Sequence, residues 1–339
     1  MKTSFLLSGL LVPLLLASCS SDDDKTIVPG TKAISFSASA PSASSSRAVT
    51  TTSDLRSFRV YGFVDRQIYM NGVHVTRSDN GWTYSPVMYW PVDKTVNFYS
   101  YSPDIITTNK PDDNINTDSP DIPGYVNEGT TDLLYGVNLG LSSGQVKINF
   151  RHALSQVVFR LKRVPTSPIA VTVTAVDLTG TYTSGSFRFP RETTEEGNID
   201  NVKGTWSEWD NVQTVNLYSG TPVTLTDTPV TLNNTERIFT VPQSLSAKSG
   251  TDRGACLRLT CRIADKESGV VIWPQHTDEG YDEASKTAYI YFPLASAEQA
   301  WEAGKAYRYT ISVGVPHSSG AIEFDVTVDE YQSYSDMRL

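Results

Sequence analysis

Hydrophobic and polar positions alternate along most of the chain in short runs, and Gly, Pro, Asn and Asp separate the runs. A period of two marks a strand with one buried face. Residues 57–64 (SFRVYGFV), 82–90 and 95–101 (TVNFYSY) carry this pattern, and Asn80-Gly81 ahead of Trp82 is a hairpin signal. A second series starts near Gln145 and takes in residues 155–163, 170–178, 237–241, 255–263, 286–292, 306–315 and 321–328. Only residues 295–303 read as a short helix. Residues 103–129, dense in Asp, Asn and Pro, read as an exposed excursion. Many short, regularly spaced strands predict an all-β protein of the sandwich type. The expected division is a leader at 1–18, a tether with one strand (32–39) at 19–56, and domains at 57–144 and 145–339.

Composition agrees with strands. The 339 residues include 17 Tyr and only 4 Met, and 39% are hydrophobic; aromatic and β-branched side chains suit a pleated, half-buried surface. The balance of 28 Lys+Arg against 37 Asp+Glu gives a net charge of −9. Such a surface repels a phosphate backbone, so nucleic acid is not an expected partner.

The first residues read as an export signal: Lys2, then a short apolar stretch at 5–16 broken by small residues and Pro13. It falls short of the roughly 20 apolar residues a membrane span needs. Leu16-Ala17-Ser18-Cys19 has the pattern of a lipobox. Cleavage would fall between Ser18 and Cys19, and the Cys19 thiol would carry the diacylglyceryl group, palmitate-like chains anchoring the protein in the outer membrane. The alternative is an ordinary secretory signal with an incidental Cys. Asp22-Asp23-Asp24 resembles the acidic tag of surface lipoproteins in Bacteroidetes-type bacteria; a flexible tether is the other reading.

Catalytic patterns are missing: no Gly-rich phosphate loop, nucleophile elbow or His-Glu-x-x-His. No enzyme activity, cofactor or metal is therefore expected. His152, beside Arg151, reads as a structural hydrogen-bonder, and Glu195-Glu196 and Asp112-Asp113 as solvated acids. Alternation over 255–263 points Cys261 inward and Cys256 outward, and two residues on opposite faces of one strand cannot bridge. Trp206 and Trp209 suit either a plug at a sandwich end or a platform for a sugar ring.

Four strings, in order, resemble the fimbrillin family of Bacteroidetes-type bacteria, the Mfa-like and FimA-like pilins. They are Tyr89-Trp90-Pro91 with Val96-Asn97-Phe98-Tyr99-Ser100-Tyr101-Ser102-Pro103; Phe150-Arg151-His152-Ala153-Leu154-Ser155-Gln156-Val157-Val158-Phe159; Val241-Pro242-Gln243; and Trp301-Glu302-Ala303-Gly304-Lys305-Ala306-Tyr307-Arg308-Tyr309. The resemblance implies two transthyretin-like β-sandwich domains and a fimbrial subunit, displayed at the cell outer membrane and contributing to adhesion. It also implies proteolytic removal of the first strand, after which other fimbrial subunits add a β-strand to the open groove. Arg47-Ala48 lies where such a cut would fall, unless Arg47 is incidental. Ile322, Phe324, Val326 and Val328 alternate with Glu323, Asp325, Thr327 and Asp329 and suit a donor strand; an ordinary last strand fits equally. The alternative function is a non-polymerising surface lipoprotein that binds a glycan or host protein.

Overall fold

The computed structural model describes residues 27–40, 54–104, 120–165, 168–195, 203–232, 238–247, 249–250, 252–316 and 322–330. The first half contains β1 (Pro29–Ala33), β2 (Ser35–Ser39), β3 (Ser57–Val64), β4 (Gln67–Ser78), β5 (Gly81–Thr83) and β6 (Tyr89–Pro91). It continues with β7 (Val96–Ser102), β8 (Asp121–Val126), β9 (Leu134–Leu141), β10 (Gln145–Asn149) and β11 (Arg151–His152). Six of these form an antiparallel sheet in the order β11-β9-β7-β3-β4-β5.

Alternate side chains leave a sheet on opposite faces, and here both faces are apolar. Phe58 and Val60 of β3, Val96 and Phe98 of β7, and Leu134 of β9 enter one core, closed by Ile34 and Phe36, Trp90, and Val146, Ile148 and Phe150. Their neighbours Tyr61, Phe63, Tyr99, Tyr101, Tyr135 and Val137 enter a second core on the other face. The runs SFRVYGFV and VNFYSYS are thus nearly continuous in bulky residues because neither face meets water. The first core runs past Gly144 as far as Phe150.

The second half contains β12 (Ser155–Arg163), β13 (Ile169–Arg188), β14 (Thr205–Thr224), β15 (Val230–Thr231), β16 (Ile238–Thr240) and β17 (Gln243–Ser244). After these come β18 (Cys256–Asp265), β19 (Val271–Trp273), β20 (Ala288–Pro293), β21 (Ala300–Trp301), β22 (Lys305–Val313) and β23 (Ile322–Glu330). One sheet runs β15-β12-β22-β23, with β16 also on β12; the other runs β14-β13-β18-β19, with β20 on β18 and β8 on β13. They face each other across a core of Val157, Phe159, Tyr307, Tyr309 and Ile311 on one side and Val171, Val173, Leu257, Leu259 and Phe292 on the other. A bulge between Val173 and Ala175 inserts Thr174 and switches the inward parity of β13 from 169, 171 and 173 to 176 and 178.

The second core joins the halves. Phe187, Phe189, Trp206, Phe239 and Val241 meet the tyrosines of the first sheet there, with Phe187 packed on Tyr135 at 4.9 Å and Trp206 at 5.3 Å between ring centroids. Such offset and edge-on pairs stabilise beyond simple burial.

Several expectations need correcting. The helix expected at 295–303 is a single 3-10 turn, Leu294–Ser296, followed by β21. Trp301 is buried and its Nε1–H donates to the Tyr309 hydroxyl at 2.9 Å, which requires an extended backbone beside β17 rather than a helix. Residues 121–126, expected in an exposed excursion, are β8, paired to β13 with Ile122 and Tyr125 buried. The strand expected at 82–90 divides into β5 and β6 around Ser85-Pro86, and that expected at 32–39 divides at Ile34. Cys256 is not outward but buried: β20 pairs it with Pro293, and its thiol donates to the Arg253 carbonyl at 3.2 Å.

Candidate functional site: the two terminal strands

Both ends of the described chain are edge strands. β2 runs parallel to β10 with the register Ser35↔Gln145 to Ser39↔Asn149, and β1 runs antiparallel to β6. Ile34, between them, is 2% exposed and Phe36 is 3% exposed. The Phe36 ring meets Tyr84, Phe98 and Phe58 edge-on at 5.4, 5.9 and 6.1 Å. The backbone is tied by Ile34 N–H to the Met88 carbonyl (2.9 Å), by Phe150 N–H to the Ser39 carbonyl (2.8 Å), and by the Tyr84 hydroxyl to the Ile34 carbonyl (2.8 Å). Ile34, Phe36 and Ala40 thus lie in a slot lined by the rest of the first core.

At the other end β23 is antiparallel to β22 over nine rungs, from Ile322↔Val313 to Glu330↔Lys305. The register sets Ile322, Phe324, Val326 and Val328 opposite Val313, Ile311, Tyr309 and Tyr307. Among the described strands β23 has one neighbour and closes its sheet. Ser18, Cys19, Arg47, Ala48, Asp112, Asp113 and Glu196 lie outside the described residues.

His152 lies between the halves rather than at either end. Its Nδ1 is 2.6 Å from Asp132 Oδ2, with side chains 4% and 1% exposed. Beside it Arg151 reaches the Phe150 and Glu195 carbonyls, and burial lowers its affinity for its proton. These polar groups fix the joint, as a structural role for His152 requires. Trp206 is a plug: it is buried, and its Nε1–H donates to the Ala153 carbonyl. Trp209 is 42% exposed, with its Nε1–H spent on the Pro242 carbonyl at 2.7 Å. The other motifs are also structural: Trp90 packs edge-on against Phe98, and the Gln243 amide bonds both the N–H and the carbonyl of Tyr182.

No helix among the described residues is long and apolar enough to cross a membrane, and no group of three or more His, Cys, Asp or Glu among them could hold a metal. Tyr84, expected within a strand over 82–90, lies instead between β5 and β6, where its hydroxyl reaches the Ile34 carbonyl.

An all-β fold with three cores and a first strand at the edge defines a class of protein. The chain belongs to the fimbrillin-like family, whose model matches residues 42–330. A fimbrial protein from Bacteroides vulgatus ATCC 8482 shares the fold, at 14% identity over 89% of this chain and 100% of that one, with a TM-score of 0.54. A fimbrilin from Porphyromonas gingivalis W83 matches at 10% identity over 88% and 97%, with a TM-score of 0.43. A search of curated proteins finds no match.

Proposed function

We propose that this chain is a fimbrial subunit, exported as a lipoprotein through Cys19, displayed at the outer-membrane surface, and assembled with other subunits by β-strand exchange. One observation carries the reading: Ile34 and Phe36 of the first segment fill a core, yet among the described strands β2 pairs with β10 alone. A cut after Arg47 would free the segment that holds them. At roughly 1.5–3 kcal/mol per fully buried side chain, withdrawing these two exposes about 3–6 kcal/mol of apolar surface. An incoming strand restores that burial together with the main-chain bonds. Family membership and the fold shared with a fimbrial protein support the same conclusion.

The test is N-terminal sequencing and gel analysis of the protein recovered from cells. A chain beginning at Ala48 that migrates as a ladder in unboiled samples is the expected outcome. A monomer still beginning at acylated Cys19 would instead favour a non-polymerising surface lipoprotein. The β22–β23 ladder within one chain supports that second reading, in which the last strand is not donated.

A further inference from the structure

An open cavity of about 270 Å³ is lined by residues of β8, β13, β14 and β16 and by none of β2 or β23. It opens where the ladder of β13 passes from β18, last paired at Thr179↔Cys256, to β8, which begins at Ser184↔Val126. One wall is apolar: Leu178, Val215, Ile238 and Phe239. These residues come from the junction between the second and third cores, so the wall is backed by packed side chains and is rigid.

The rim is polar and uncommitted. Glu128 and Gln213 line the cavity and are exposed, and their side chains make no hydrogen bond among the described residues. Asn127 is spent within the fold, its amide donating to the Phe239 carbonyl at 2.6 Å and its Oδ1 accepting from the Gly129 N–H at 3.1 Å. Asn127 therefore shapes the rim without serving a ligand. Thr240 lies in the same lining at 5% exposure, and its Oγ1 finds no partner among the described residues. A buried polar atom without a partner is unusual, so this wall keeps hydrogen-bonding capacity in hand.

Three features restrict the ligand. The volume lies just below the roughly 300–1,000 Å³ of drug-sized sites, which suits one small ring. An apolar wall opposite a carboxylate and an amide matches a molecule with a C–H face and neighbouring hydroxyls. Among the described residues no Lys, Arg or His lines the cavity, and Glu128 repels anions. We infer that this cavity binds a single neutral sugar residue, its C–H face against Val126 and Val215, the apolar lining residues that keep exposed surface, and its hydroxyls on Glu128 and Gln213. The site is separate from the terminal strands, so it stands whether or not the chain polymerises.

Saturation-transfer NMR on the purified protein tests it, with free glucose, galactose, mannose and N-acetylglucosamine as probes and N-acetylneuraminic acid as the anionic comparison. At least one neutral sugar should receive saturation, and N-acetylneuraminic acid should receive none. Gln213→Ala and Glu128→Ala should each weaken the binding about tenfold, the loss of one good hydrogen bond. Both positions are exposed, so the melting temperature should not move, and a fall in it would be visible in the same samples. Transfer to no neutral sugar, transfer unchanged by both substitutions, or preference for the anionic sugar would each overturn the assignment.

Discussion

Trp206 Nε1–H donates to the carbonyl oxygen of Ala153 at 2.7 Å, and this bond spans the joint between the two halves of the chain. Trp206→Phe would keep most of the ring in the second core but leave that buried carbonyl unpaired. An orphaned buried acceptor costs about 1–3 kcal/mol. Urea unfolding followed by circular dichroism should show a loss of that size. Because the second core draws on both halves, the wild-type transition should be single by every probe. Two separated transitions would refute the shared core.

Phe36 is the largest side chain that the first segment contributes to the first core. Phe36→Ala would remove its three edge-on ring contacts and leave a cavity against Phe98. The expected cost is about 3–5 kcal/mol, read by denaturant unfolding of the intact chain. If the segment is cleaved away in the mature protein, the same substitution should leave the processed form unaffected.

Gly180 has a left-handed backbone at φ +70°, and a Cβ there would come within 2.0 Å of the Gly254 carbonyl oxygen. Gly81 is also left-handed, at φ +110°, but a Cβ there meets nothing within 4 Å. Gly180→Ala should therefore destabilise by clearly more than Gly81→Ala, which pays only the backbone strain. Thermal unfolding of the two variants side by side makes the comparison.

Burial pushes up the thiols of both Cys256 and Cys261, so neither forms a thiolate readily at neutral pH. Iodoacetamide with peptide mapping should leave both unmodified in the folded protein and label both in denaturant. Rapid labelling of Cys256 under native conditions would contradict its burial.

Two surface turns set a lower pH limit. Asp265 Oδ1 accepts from the Ser268 N–H and hydroxyl, and Asp282 Oδ1 accepts the same pair from Ser285. These bonds hold both carboxyls below the ordinary carboxylate range. A lowered folded value means that the stabilisation is present above the unfolded value of about 3.9 and fades as pH falls through the folded one. Hydrogen exchange at Ser268 and Ser285 should stay constant from pH 7 to about pH 5, after correction for intrinsic rates, and accelerate only below about pH 4.

Much of this architecture was written in the alternation of side chains, and the failures have physical causes. Residues 57–64 and 155–163 form the strands β3 and β12 over those same residues, because each is a short run rich in β-branched and aromatic side chains. β13 was legible only to Leu178: the bulge at Thr174 and the left-handed Gly180 break the parity that would have extended it to Arg188. β14 gave no signal because it is an edge strand, exposed over most of its 20 residues and lacking an apolar face to mark it. β8 hid in a polar stretch where only Ile122 and Tyr125 turn inward. The sugar-sized cavity was invisible for a different reason. Its walls come from β8, β13, β14 and β16, and no local pattern links Glu128, Gln213 and Thr240.

The aromatic layer between the halves has a mechanical meaning. Bending the molecule at that layer would part Tyr135 from Phe187 and wet both rings, so thermal motion is held to small angles there. The two halves then move together, as a strut rather than a hinge, and chains joined end to end would inherit that stiffness link by link.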